Sequence, residues 1–186
     1  MRVAMIGAGY VGLVSGACFA DFGHQVTCID KDVSRITALK DGEIPIFEPG
    51  LAEMVEANVR QGRLEFTDEA SGVAKADVVF IAVGTPSRRG DGYADLSFVY
   101  AAVREIAAHL APTAVVVTKS TVPVGTGDEI ERILREMRPD AELPVVSNPE
   151  FLREGAAIQD FKHPDRIVVG TDDPRAREVL AEIYRP

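Results

Sequence analysis

The run Gly7-Ala8-Gly9-Tyr10-Val11-Gly12 follows directly on an apolar stretch and opens a helical one. In that setting the three glycines have the spacing of a diphosphate site. Gly7 permits a tight turn, Gly9 lets an anion approach the main chain, and Gly12 lets the helix lie close on the strand. Free N–H groups and the helix dipole then favour phosphate charge. Local donors matter here because the chain has 20 Lys and Arg against 29 Asp and Glu, a net charge of −9. The same motif predicts an acid at the end of the next strand, where Asp30 stands. A carboxylate there accepts both ribose hydroxyls and repels a 2′-phosphate, which favours NAD over NADP. Lys31 and Arg35 work against that preference, since a neighbouring cation tolerates the extra phosphate. Asp32 precedes a helical pattern and reads as its N-cap. A plain glycine turn with an incidental aspartate is the competing reading. It loses to the joint match of strand, helix and spacing.

Three later strand ends carry further candidates. Val83-Gly84-Thr85-Pro86 stands where ligands bind in open parallel sheets, although Thr85-Pro86 is equally good turn chemistry. In Lys119-Ser120-Thr121, the two hydroxyls stand where they could face a ligand, whereas Thr126 with Glu129 reads as a capping box. In Ser147-Asn148-Pro149-Glu150, Asn148 reads as N-cap and Pro149 as first residue of a short helix. Glu150 and Glu154 would then share one helical face. A carboxylate aimed into a nicotinamide cleft suits a general base or a holder of water. Acids in a first turn also merely complement the helix dipole, and the pattern leaves both readings open.

The elements that must position these residues alternate along the chain. Strand-like runs fall at 3–6, 25–30, 64–66, 78–83, 114–118, 144–147 and 167–170, with helical patterns between them. Runs apolar on both faces, alternating with helices, predict an α/β fold of Rossmann type: a doubly wound, mainly parallel sheet with helices on both faces. One domain over 1–186 is expected, with a single long polar loop at 86–94. The acidic balance, without a basic run, argues against nucleic-acid and anionic-membrane partners. No apolar run reaches bilayer length. Two cysteines form no disulfide framework, so the cytoplasm is the expected compartment. The three histidines lack metal-ligand spacing, and no metal is expected.

Taken together, these motifs resemble the UDP-glucose/GDP-mannose dehydrogenase family. The likeness rests on the glycine run with Asp30, Glu48-Pro49-Gly50-Leu51, Val83-Gly84-Thr85-Pro86, and the segments 92–96, 120–125, 148–155 and 164–167. That family oxidises the C6 alcohol of a nucleotide sugar to the carboxylate in two hydride transfers, using two NAD. The resemblance implies that Val11, Asp30, Arg35, Thr85, Thr121 and Glu154 touch the cofactor, beside Gly7, Gly9, Tyr10, Gly12 and Pro86 of the same motifs. It implies that Glu150, Phe151, Leu152, Arg153 and Glu154 line the sugar site. Thr121 and Glu150 take catalytic roles, Glu150 managing a water or proton. The segment 160–166 is closer to the branch acting on UDP-glucose than to those acting on GDP-mannose or a UDP-N-acetylhexosamine.

The same resemblance implies a thiol that holds the aldehyde, a central helix that helps family members form homo-oligomers, and a second sugar-binding domain. None of these is found in the 186 residues. Cys18 and Cys28 fall inside a helix and a strand and read as buried and inert. The chain is therefore expected to bind NAD yet be nearly inactive alone. A non-catalytic nucleotide-binding module is the alternative from another class.

Overall fold

Strand pairing follows the order β3-β2-β1-β4-β5-β6, parallel throughout, in a computed structural model that describes residues 1–88, 90 and 92–185. The strands are β1 (Arg2–Ile6), β2 (Gln25–Ile29), β3 (Leu64–Thr67), β4 (Val78–Ile81), β5 (Val115–Thr118) and β6 (Val145–Ser147). The helices are α1 (Tyr10–Asp21), α2 (Val33–Lys40), α3 (Leu51–Arg60), α4 (Ser97–Ala107), α5 (Thr126–Met137), α6 (Ala157–Lys162) and α7 (Pro174–Ile183). Strand order reverses between β1 and β4, which opens a crevice at their carboxyl ends.

Strand side chains alternate between two cores, as a pleat requires. Val3 and Met5 join a core with Leu13, Phe19, Leu51, Phe161 and Leu180, on the face of α1, α3, α6 and α7. Ala4 and Ile6 join Val99, Val103, Ile106, Ile130 and Ile133 on the face of α4 and α5. Covered on both faces, β4 is apolar at every position, and β4 and β5 are buried from end to end. Capping sharpens two helices. Asp32 accepts from the N–H of Ser34 and Arg35 at the start of α2, and Asp173 accepts from Ala176 N–H with Pro174 opening α7.

Three expectations are corrected. The run at 167–170 is not a strand of the sheet, since only Gly170 forms an isolated antiparallel bridge, with Ser147. The helical pattern expected between the runs at 64–66 and 78–83 yields a single 3-10 turn, Ala70–Val73. Thr126 and Glu129 form no capping box. Gly125 is the cap at φ +88°, Thr126 donates to Pro123 O, and Glu129 pairs with Arg132. In the loop at 86–94, Ser87 bridges Ala94, while Arg89 and Asp91 lie outside the described residues.

Candidate functional site

The glycine turn is crowded at two positions and open at the third. Gly7 sits at φ +98° and donates its N–H to Ile29 O at 2.7 Å. A Cβ there would meet Ala82 O at 2.7 Å, and one on Gly12 would fall 1.8 Å from Gly7 O. These contacts draw β1, α1 and the end of β4 together. Around Gly9 nothing lies within 4 Å of a Cβ position, so the main chain there faces open space. That shape fits an anion held on backbone N–H groups.

Beside the turn lies a cavity of about 440 Å³, lined by Gly7, Gly9, Asp30, Arg35, Pro86 and Phe98 among others. Asp30 closes its β2 end, with a side chain only 9% exposed. Its carboxylate accepts from Ala8 N–H at 2.8 Å, from Asp32 N–H at 3.0 Å and from Arg35 Nη1 at 2.7 Å. The guanidinium of Arg35 is thereby committed to Asp30, which limits its availability for a 2′-phosphate. Lys31 lies over the Phe98 ring, 5.5 Å from its centroid. Replacing Asp30 with Ala removes the carboxylate expected to accept from ribose and leaves Arg35 with Asp32 at 3.8 Å as its ion-pair partner. We expect NAD affinity to fall by about tenfold or more, and the preference for NAD over NADP to narrow, in calorimetric titrations of both cofactors.

At the next strand ends the hydroxyls divide. Ser120 is buried and its Oγ donates to Val83 O at 2.7 Å, so it serves the fold. Thr121 is exposed, and its carbonyl accepts from Thr85 Oγ1 at 3.1 Å. That bond joins the segments after β4 and β5. Neither threonine lines the glycine-turn cavity.

After β6 the expected helix at Pro149 does not form. Asn148 does not cap. Its Nδ2 donates to Val168 O at 2.8 Å, while its Oδ1 accepts from Lys119 Nζ and Tyr184 OH. Glu150 accepts from Leu152 N–H at 2.6 Å, a tight local turn. Gly155 takes φ +85°, and α6 starts only at Ala157. Glu150 and Glu154 therefore share no helical face. Glu150, Phe151, Leu152 and Arg153 line a second cavity, of about 520 Å³. Glu154 is exposed and lines neither cavity.

Glu48, part of a recognised motif but not singled out from the sequence, joins the two regions. This buried carboxylate accepts from Tyr10 OH at 2.5 Å, from Gly155 N–H at 2.7 Å and from Ala157 N–H at 2.8 Å. Tyr10 thus commits its phenol to Glu48, and it packs, like Val11, against the core. Burial alone would raise the Glu48 carboxyl. The Tyr10 phenol and the N–H groups of Gly155, Ala157 and Ile158 outweigh it and hold the group below its ordinary range. The Tyr10 phenol is pushed up, by burial first and then by Glu48. Lys119, also missed, is buried and lines the second cavity with Glu150. A lone Glu before Pro-Gly, or a lone Lys after a strand, has no sequence signal beyond its motif. Among the described residues, no group of three or more His, Cys, Asp or Glu is placed to hold a metal ion. No helix is long and apolar enough to cross a membrane, again among the described residues.

A parallel sheet of this order, with a glycine turn and a carboxylate at its switch point, defines a dinucleotide-binding domain of Rossmann type. Comparison with known proteins narrows the class. The chain belongs to the UDP-glucose/GDP-mannose dehydrogenase family and matches that family's NAD-binding domain over residues 1–186. It is 71% identical to a UDP-glucose 6-dehydrogenase of Rhizobium meliloti, over 100% of this chain and 43% of that relative. A UDP-glucose 6-dehydrogenase of Pseudomonas aeruginosa is 48% identical over 100% of this chain and 42% of its own length. Among solved structures, a UDP-glucose dehydrogenase from Pyrobaculum islandicum superposes with a TM-score of 0.93 at 42% identity, covering 98% of this chain and 43% of that one. A GDP-mannose dehydrogenase from Pseudomonas aeruginosa, in a ternary complex, gives 0.92 at 34% identity, covering 100% and 44%. The chain thus spans less than half the length of these relatives.

Proposed function

We propose that this chain forms the NAD-binding part of an enzyme that oxidises the C6 alcohol of UDP-glucose to the carboxylate of UDP-glucuronate. The observation that carries the reading is convergence at one edge of the sheet. The glycine turn with Asp30, the Thr85–Thr121 pair and the Glu150 loop all follow the carboxyl ends of strands. NAD bound at this edge supplies the hydride acceptor in each of two steps. Gly7, Gly9, Tyr10, Val11 and Gly12 present α1 to the diphosphate, and Asp30 with Arg35 receives the ribose. Thr85, Pro86, Thr121 and Glu154 border the rest of the cofactor, and 150–154 borders the sugar.

Glu150 takes the proton from the C6 hydroxyl and later orients the water that delivers the second oxygen, with the Thr121 hydroxyl beside it. The overall balance is alcohol plus water plus two NAD, giving carboxylate, two NADH and protons. Neither Cys18 nor Cys28 serves as a nucleophile that holds the aldehyde. Both are buried, and burial pushes each thiol up to about 12. The thiol therefore belongs to residues outside this chain, together with a central helix, a second sugar-binding domain and the homo-oligomer contacts. Two free cysteines support a reducing, cytoplasmic setting.

The test follows cofactor reduction by the product of the native gene and by the 186-residue chain. The reading expects two NADH per UDP-glucose from the former, and NAD binding with negligible turnover from the latter. One NADH per sugar, preference for GDP-mannose, or robust turnover by the chain alone would overturn it.

A further inference from the structure

Lys119 follows β5 directly and is 3% exposed, yet among the described residues no carboxylate lies within ion-pair distance of its ammonium. Its partners are neutral: Tyr184 OH at 3.0 Å and Asn148 Oδ1 at 3.3 Å. The rings of Phe80, Phe161 and Tyr184 surround it, with centroids 5.9, 5.8 and 5.7 Å from Nζ. Burying a cation against uncharged groups works against stability, and a methionine would fill the same apolar space. Such a group is therefore a candidate for a role in the site.

Its surroundings specify that role. Lys119 lines the 520 Å³ cavity together with Glu150. Asn148, which it helps fix, is two residues before Glu150 and is also held by Tyr184 and Val168. We propose that Lys119 is a positioning residue for Glu150: through Asn148 it sets where the Pro149–Glu150 turn emerges. This rests on the reading of Glu150 as the proton and water handler. Burial lowers the Lys119 ammonium to about 8, and the charge of Glu150 acts in the opposite direction. Arg153 is engaged by Asp160 at 2.7 Å. The other titratable groups on the cavity wall are His163, Asp165, Arg166 and Tyr184, whose phenol is pushed up by burial.

The experiment is NMR titration of the 186-residue chain, labelled at the side-chain carbons of Glu and Lys, with Glu150 assigned through Glu150→Gln. In Lys119→Met the Glu150 side-chain carbon signals should move away from their wild-type positions, and in Lys119→Arg return toward them, because the turn that Glu150 forms with Leu152 N–H follows Asn148. Glu150→Gln should lower the Lys119 midpoint, because the Glu150 charge raises it. This second arm uses a partly exposed site and holds even if Lys119→Met fails to fold. The Met variant should melt no lower than wild type, because Tyr184 still donates to Asn148. A purely structural lysine would lower the melting temperature and leave the Glu150 signals and the Lys119 midpoint in place, and that result overturns the proposal. The readout needs no turnover. If these signals move but Glu150→Gln leaves turnover intact in the whole enzyme, the catalytic reading of Glu150 falls and the positioning by Lys119 stands.

Discussion

Gly12→Ala lowers the melting temperature by about 10 °C or more and removes measurable NAD binding. The added Cβ would lie 1.8 Å from Gly7 O and 2.9 Å from Gly7 C. Both are main-chain atoms of a turn whose own N–H is bonded to Ile29 O. No rotamer change relieves the overlap, so α1 must move off the sheet. That helix is buried from Gly12 through Ala20, and a shift there disturbs the core from Leu13 to Phe19. Overpacking without relief costs about 3–5 kcal/mol at the severe end, and a domain this size loses roughly 2–4 °C per kcal/mol. Thermal melting monitored by circular dichroism, with and without NAD, checks both parts. Gly9→Ala is the contrast. It meets nothing within 4 Å, so it should keep the fold and weaken only the cofactor.

Glu48→Ala produces the second large loss, about 3 kcal/mol of stability by chemical denaturation. It strands the Tyr10 hydroxyl and the N–H groups of Gly155 and Ala157, all of which now donate to one carboxylate. Each buried donor left without an acceptor costs about 1–3 kcal/mol. Glu48→Gln keeps oxygen for part of the set and should fall between. The same residue predicts an acid dependence. Its folded-state group is held below the ordinary carboxylate range, so its contribution is fully present above about pH 4.5. That contribution disappears as pH falls through the depressed value. The Glu48→Ala chain should therefore show a flatter loss of stability over that acidic window. An identical slope in both proteins would remove Glu48 from the account.

Much of the fold is legible in the residues because its signals are local. Val-rich runs such as Val115–Thr118 are apolar on both faces, and that alone marks a covered parallel strand. The turn at Gly7 and the acid at Asp30 follow from steric limits and charge. Reading failed where tertiary partners claimed a local signal. Asn148 has a capping residue's chemistry, yet Lys119, Tyr184 and Val168 use up its side chain. Thr126 and Glu129 have capping-box spacing, but Gly125 at φ +88° turns the chain first. The run at 167–170 has strand composition without a free sheet edge in register, and only Gly170 bridges Ser147. Glu48 and Lys119 escaped because each acts through residues far away in sequence, at 155–157 and at 148 and 184.

The central claim is that the cleft between the glycine turn and Asp30 binds NAD. Calorimetric titration of the purified 186-residue chain with NAD and with NADP tests it directly. The account predicts saturable one-site binding of NAD, weaker binding of NADP, and loss of the NAD signal in Gly12→Ala. Absence of saturable NAD binding by the folded chain, or equal affinity for both cofactors, would contradict it.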